Sequence, residues 1–258
     1  MTGRQFATAI ARAAEAGAVL AALVGLWWSA SHAGWISRVF LPTPEAAGAS
    51  LVDGLAGGPL AGFTLATLGR MLAGWLLASL LGIALGLWIG SSATARTWLQ
   101  PMLEFVRPLP ASALVPPAIA VFGLSSGMVL SVVAFGAMWP VLLATVHGVA
   151  GVHARLNEVA AALQLSRITF VLRIALPHAL PDILAGMRLA MTVSLIISVV
   201  GEMIASQSGL GQAILLAARS FRASELFAGV ILLGAIGVVS NTGLALAERR
   251  LLRWQQHP

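Results

Sequence analysis

A 258-residue chain that is 59% hydrophobic and only 9% charged, with a mean hydropathy of +0.92, lacks the polar surface of a soluble globule and reads as a polytopic membrane protein. Its 15 basic residues are all arginine and outnumber 9 acidic ones for a net charge of +6, an excess that lipid headgroups and orientation in a bilayer account for without a nucleic-acid partner. The absence of cysteine excludes disulfides and thiolate metal sites, and the spacing of His147, His153 and His178 matches no helical ligand pair, so no metal is expected.

Measured against the roughly 20 apolar residues that a spanning helix needs, the chain offers five or six spans. They fall near residues 15–32, 63–90, 101–123, 128–149, 183–205 and 226–247. The first is preceded by Arg4 and Arg12 and ends in the small residues Ser29, Ala30 and Ser31, as a signal peptide does. Trp27 and Trp28 suit an interfacial belt, which favours a retained helix. Residues 40–60, with LPTP at Leu41–Pro44 and a Gly57–Gly58–Pro59 break, form an outer loop with room for one short surface helix. The second span repeats glycine at Gly82, Gly86 and Gly90, four apart on one face, a pattern for close helix packing.

The third span is interrupted by Pro101, Pro108, Pro110, Pro116 and Pro117. Freed backbone groups at membrane depth are tolerated inside protein or along a water-filled path; the region is either a kinked buried helix or part of a pathway that includes Arg107, Pro108 and Pro110. Arg107 reads equally as an attractor for an anion or an anchor at the inner headgroups, and Glu202, late in the fifth span, as a pathway or gating residue or a helix-end charge. Asp182 and Arg188 read as interfacial anchors. With six spans and both termini in the cytoplasm, the inner segments hold nine arginines, among them Arg96, Arg155, Arg167, Arg173, Arg249 and Arg250, against Arg38, Arg70, Arg219 and Arg222 outside.

That orientation makes Glu158–Pro177, EVAAALQLSRITFVLRIALP, the longest inner loop. Asn157 or a neighbour can cap a helix with Glu158 in its first turn, Ala160, Ala161 and Ala162 leave the backbone shallow enough to enter a partner's groove, and Leu156, Val159, Leu163 and Leu165 supply apolar contacts. By residue type the same segment also fits an interfacial amphipathic helix. No phosphate loop and no H-E-x-x-H occurs, and Ser125 and Ser126 have no convincing partner base, so any nucleotide is bound by another chain.

Glu158, Ala160, Ile174, Leu176 and Pro177 stand in the register of the EAA motif, in which E-A-A is followed after three residues by glycine and, nine residues later, by I-x-L-P. The segment resembles the cytoplasmic coupling loop of ABC importer permeases. Nearly the whole chain is similar to the nitrate, sulfonate and taurine permeases: LPTP at Leu41–Pro44, TLGRMLAG at Thr67–Gly74, RPLP at Arg107–Pro110, Phe122–Leu124, GEMI at Gly201–Ile204, SGLG at Ser208–Gly211 and ERRLLRW at Glu248–Trp254. Val159 replaces the second residue of E-A-A, Leu114 stands where the family often has tryptophan, and Gln164 occupies the motif's glycine, where a positive φ would cost glutamine about 1 kcal/mol.

The resemblance implies an all-α, type I (MetI-like) permease core of five helices plus an N-terminal helix, with an amino-terminal part at 1–58, a permease domain at 59–247 and a cytoplasmic tail at 248–258. It implies a bacterial inner-membrane location with both termini cytoplasmic. It implies partners: cytoplasmic ABC ATPases that carry the ATP, a second permease copy, and an extracytoplasmic binding protein delivering a small anion, sulfonates and nitrate foremost. The chain itself then needs no cofactor and catalyses no reaction. Glu158, Val159, Ala160, Ala161, Ala162, Leu163, Gln164 and Leu165, with Ile174, Leu176 and Pro177, would couple it to the ATPase. An ion-coupled transporter or channel, and a membrane-embedded enzyme, are the alternative classes; the first would work without any ATPase, and the second would need a buried nucleophile that the sequence does not show.

Overall fold

The computed structural model describes residues 3–106 and 108–252, side chains being described from residue 14 on and not at Gln100; Arg107, one of the pathway candidates, and Trp254 lie outside the described residues. The described chain is helical, without a strand, in the order α1 (Gly3–His32), α2 (Pro44–Ala56), α3 (Leu60–Gly90), α4 (Ala93–Val106), a 3₁₀ turn (Ala111–Leu114), α5 (Val115–Phe122), α6 (Ser126–Ala150), α7 (Ala154–Ala162), α8 (Arg167–Phe170), a π turn (Val171–Ala175), α9 (Leu176–Ala205), α10 (Leu210–Arg219) and α11 (Ala223–Leu251). Five stretches are long and apolar enough to cross a membrane: Ala14–His32, Leu60–Gly90, Ser126–Ala150, Arg167–Ala205 and Ala223–Leu251. A sixth results if α4 and the Ala111–Phe122 segment, bent by 87°, count as one broken span.

The backbone falls into two compact units, Met1–Ala61 with Ala213–Leu232, and Gly62–Gln212 with Leu233–Pro258. In the first, the LPTP element starts α2. Thr43 Oγ1 accepts from the Ala46 N–H at 3.3 Å while Pro44 fills the first turn, where no N–H is needed. The tryptophans at the end of α1 are held by this corner: Trp27 Nε1 donates to the Pro42 carbonyl at 2.8 Å and its ring stacks on Phe227 at 5.3 Å, and Trp28 Nε1 donates to Glu45 Oε1 at 2.9 Å. Glu45's own backbone N–H, then Thr43, Trp28 and the charge of His32, hold its carboxyl below the ordinary carboxylate range against a smaller desolvation.

The second unit is built on α3, α6 and α9. The glycines of α3 are notches for α6: an added Cβ would lie 2.9 Å from Val141 Cβ at Gly82, 2.5 Å from Thr145 Cβ at Gly86 and 2.9 Å from Val149 Cβ at Gly90, as their spacing on one face predicts. Gly186 of α9 faces Ala144 of α6 in the same way, at 2.7 Å, and Gly148 of α6 faces Ala179 at 2.8 Å. Trp75 Nε1 donates to the Met187 carbonyl at 2.9 Å, tying α3 to α9. Between them lies an apolar core of Ala78, Ala137, Val141 and Ala190.

Two boundaries and the assignment of one arginine differ from the sequence reading. The third segment starts at Ala93 and breaks after Val106, because Pro108 and Pro110 remove helix donors there while Pro116 and Pro117 sit in the first turn of α5, which needs none. The fifth span begins at Arg167 rather than near 183. Pro177 has no N–H for the carbonyl four residues back, and the wider π turn at Val171–Ala175 absorbs that loss without ending the helix. Arg70, counted with the outer segments, lies inside α3.

Candidate coupling surface, buried clamp and cavity

The EAA-like segment folds as helix, turn, helix. His153 rather than Asn157 begins α7, its Nδ1 accepting from the Arg155 N–H at 3.3 Å, so Glu158 falls in the second turn and not the first. Of the three alanines only Ala160 is buried, at 6%, whereas Val159 and Leu163 are 51% and 65% exposed. With Leu156, also exposed, they form a stripe at i, i+3 and i+7, an unpartnered apolar face on a helix otherwise decorated by Arg155, Asn157 and Glu158.

The turn after α7 has the glycine geometry with a glutamine in it. Gln164 adopts φ 50°; its N–H donates to the Ala161 carbonyl, and the Leu165 N–H to the Ala160 carbonyl, both at 3.0 Å. That bond pair is a Schellman motif, so the strain is accepted and the turn retained. Ser166 then caps α8, its Oγ accepting from the Thr169 N–H at 3.2 Å, and Arg167 reaches the Ser91 carbonyl beyond the end of α3 at 3.1 Å. A groove of about 250 Å³ lies between α7 and α8, with Ala160, Ala161, Leu165 and Phe170 in its wall. Ile174 and Leu176 pack on a buried cluster of Val149, Val152, Ala175, Ala179 and Ile183, which seats the loop on α6 and α9; Pro177 is exposed at the start of α9.

At the other end of α9, Glu202 is fully buried. Its Oε1 accepts from Arg70 Nη1 at 2.6 Å, and its Oε2 accepts from Thr67 Oγ1 at 3.0 Å and from the Gly211 N–H at 2.9 Å. The carboxylate is thus turned toward α3 and the SGLG turn. Sequence reasoning singled out TLGRMLAG and GEMI separately; opposite charges within two apolar spans were the signal that could have paired them. A second ion pair joins Arg188 of α9 to Glu248 of α11, giving the expected anchor a partner within the chain.

A cavity of about 690 Å³ is bounded by α6, α9 and the Leu109–Val115 segment, and its described lining residues carry no charge. Leu189, Val193, Ile196 and Val200 form the α9 wall, and Trp139 the α6 wall; Trp139 Nε1 is a buried donor without a partner. Pro108 and Pro110 flank Leu109 at its edge without lining it, and Glu202 is absent from the lining, where its neighbour Gly201 appears. Among the described residues no group of three or more His, Asp or Glu side chains has metal-site geometry.

A chain of the MetNI methionine ABC transporter, solved in inward-facing conformations, shares this fold: TM-score 0.64, 17% identity, 74% of this chain and 95% of that one. The putative aliphatic sulfonates transport permease protein SsuC of Bacillus subtilis is 32% identical over 91% of this chain and 85% of its own. The taurine transport system permease protein TauC of Escherichia coli is 30% identical over 91% and 87%, and the nitrate import permease protein NrtB of Leptolyngbya laminosa 32% over 74% and 68%. The family described as binding-protein-dependent transport system inner membrane component matches residues 78–254, which takes in the notches at Gly82, Gly86 and Gly90, the EAA-like turn, Glu202 and the Ser208–Gly211 turn, and the chain belongs to that family of ABC importer permeases.

Proposed function

We propose that this permease moves a small anion, of the kind handled by its sulfonate, taurine and nitrate relatives, across the bacterial inner membrane. A binding protein delivers the solute on the outer side, and separate ATPase subunits bind ATP on the inner side. The observation that carries this reading is α7: an exposed stripe of Leu156, Val159 and Leu163 held by a rigid turn, which suits insertion into a partner's cleft better than a passive surface position. Glu158, Ala161, Ala162, Gln164 and Leu165 belong to the same docking unit, and Ile174, Leu176 and Pro177 pass its displacement to α9.

Two copies face each other across the open side of the cavity, each giving half of a path with an apolar wall. Both termini are cytoplasmic, with an amino-terminal part at 1–58, the permease domain at 59–247 and a short tail. The chain binds no nucleotide. Alternating access follows when closure of the ATPases drives the docked helices together.

The test is Val159→Asp with Leu163→Asp, co-expressed with the cognate ATPase. Loss of co-purification with unchanged membrane insertion is expected, because two exposed carboxylates on the stripe abolish the apolar contact. Intact association and intact transport-coupled hydrolysis would sink the coupling role.

A further inference from the structure

The bonds to the Ser208–Gly211 turn converge on two residues of α3. Besides its ion pair with Glu202, Arg70 uses its second nitrogen, Nη2, to donate to the Ser208 carbonyl at 2.7 Å. Thr67, one helical turn away, donates its hydroxyl to Glu202 and accepts the Leu210 N–H on the same oxygen at 2.9 Å. The turn is pressed onto the carboxylate: a Cβ at Gly209 would lie 2.4 Å from the Glu202 carboxylate carbon, and one at Gly211 would lie 2.3 Å from the Val199 carbonyl oxygen.

Both Glu202 oxygens are occupied from within the chain, so this buried charge leaves no opening for a ligand. A buried ion pair between membrane helices is costly to assemble, and its one evident product is the fixation of a loop to two helices. α9 carries Ile174 and Leu176 of the coupling loop at or just before its start, the cavity wall in its middle and the clamp near its end, with 30 helical residues in one rod from Leu176 to Ala205.

Resting on the permease reading above, we infer that Arg70 is a positioning residue whose two-pronged grip on Glu202 and Ser208 makes the Ser208–Gly211 turn a rigid extension of α3 and α9. Movement applied at the coupling loop is thereby delivered undamped to the outer surface that meets the binding protein. A guanidinium suits the task because its donors are set in a planar fork, whereas an ammonium is a single point.

The experiment uses the complete complex of permease, ATPase and binding protein in liposomes. Arg70→Lys keeps the positive charge but cannot span both acceptors; basal ATP hydrolysis should persist while stimulation by the binding protein, and uptake per ATP, are lost. Glu202→Gln should behave likewise. Full stimulation and uptake in Arg70→Lys would overturn the inference. Should the variants fail to accumulate, hydrogen exchange of the wild type decides: the Leu210 and Gly211 amides stay protected in nucleotide-free and ATP-bound states if the clamp holds through the cycle, and deprotection in either state overturns it. A wild-type complex that shows no ATP-driven uptake at all would overturn the permease reading itself.

Discussion

The backbone N–H of Leu165 donates to the carbonyl of Ala160 at 3.0 Å, closing the turn after α7 around a glutamine whose φ is 50°. The left-handed backbone is one that glycine adopts without steric cost, and the glutamine side chain is the exception. An L-residue in the left-handed region carries about 1–2 kcal/mol of steric cost, of which the unfolded-state flexibility of glycine offsets about 0.4–1 kcal/mol on replacement. Gln164→Gly should therefore stabilise the protein by about 0.5 kcal/mol and Gln164→Val, β-branched at a positive φ, destabilise it by about 1 kcal/mol. Thermal unfolding in detergent reads both, and a stabilising valine would contradict the turn geometry.

The α3–α6 contact predicts a sharp contrast between two glycines of one helix. Gly86→Ala would set a methyl 2.5 Å from Thr145 Cβ and should cost about 1–3 kcal/mol by overpacking. Gly69→Ala, with nothing within 4 Å, should stay within about 0.5 kcal/mol or gain through helix propensity. The difference in midpoint between the two variants is the measurement; equal midpoints would mean the helices are not in contact there.

Removing one half of the buried pair leaves the other charged and uncompensated. Glu202→Ala and Arg70→Ala should each lower stability by about 3–5 kcal/mol. The double variant should lose clearly less than the two together, since the second deletion removes the orphaned charge. Additive losses would indicate that the two side chains do not interact.

Gly123 closes α5 with φ 64° and ψ −172°, a region essentially reserved for glycine. Gly123→Ala should cost about 1–3 kcal/mol, and Ser125→Ala, which removes the cap of α6 at Met128 N, about 1 kcal/mol. Proteolysis at the 122–126 junction and thermal midpoints report the two losses separately.

What could be read from residues alone was whatever depends on short spacing. The stripe Gly82, Gly86 and Gly90 and the register from Glu158 to Pro177 are local patterns, and the folded chain uses both. The prolines are harder to read. The sequence places the fifth span near 183, yet Pro177 and Pro181 sit within a continuous helical run that a π turn at Val171–Ala175 leads into. Pro101 looks like a break yet lies inside α4. The partnership of Arg70 with Glu202 spans 132 residues and depends on α3 and α9 being neighbours, which no local pattern specifies. The unpartnered donor of Trp139 likewise emerges only once α6, α9 and the Leu109–Val115 segment enclose a space.

The notches of α3 act like a toothed rack. Val141, Thr145 and Val149 each mesh with one missing side chain, so α3 cannot slide past α6 without driving Cβ atoms into backbone, and intermediate positions along the axis are closed. Any rearrangement of this protein must then carry the two helices as a single gear. Bending is left to the joints where no teeth engage: the proline hinge at Pro108–Pro110, the glycine corner at Gly123 and the wide turn before Leu176.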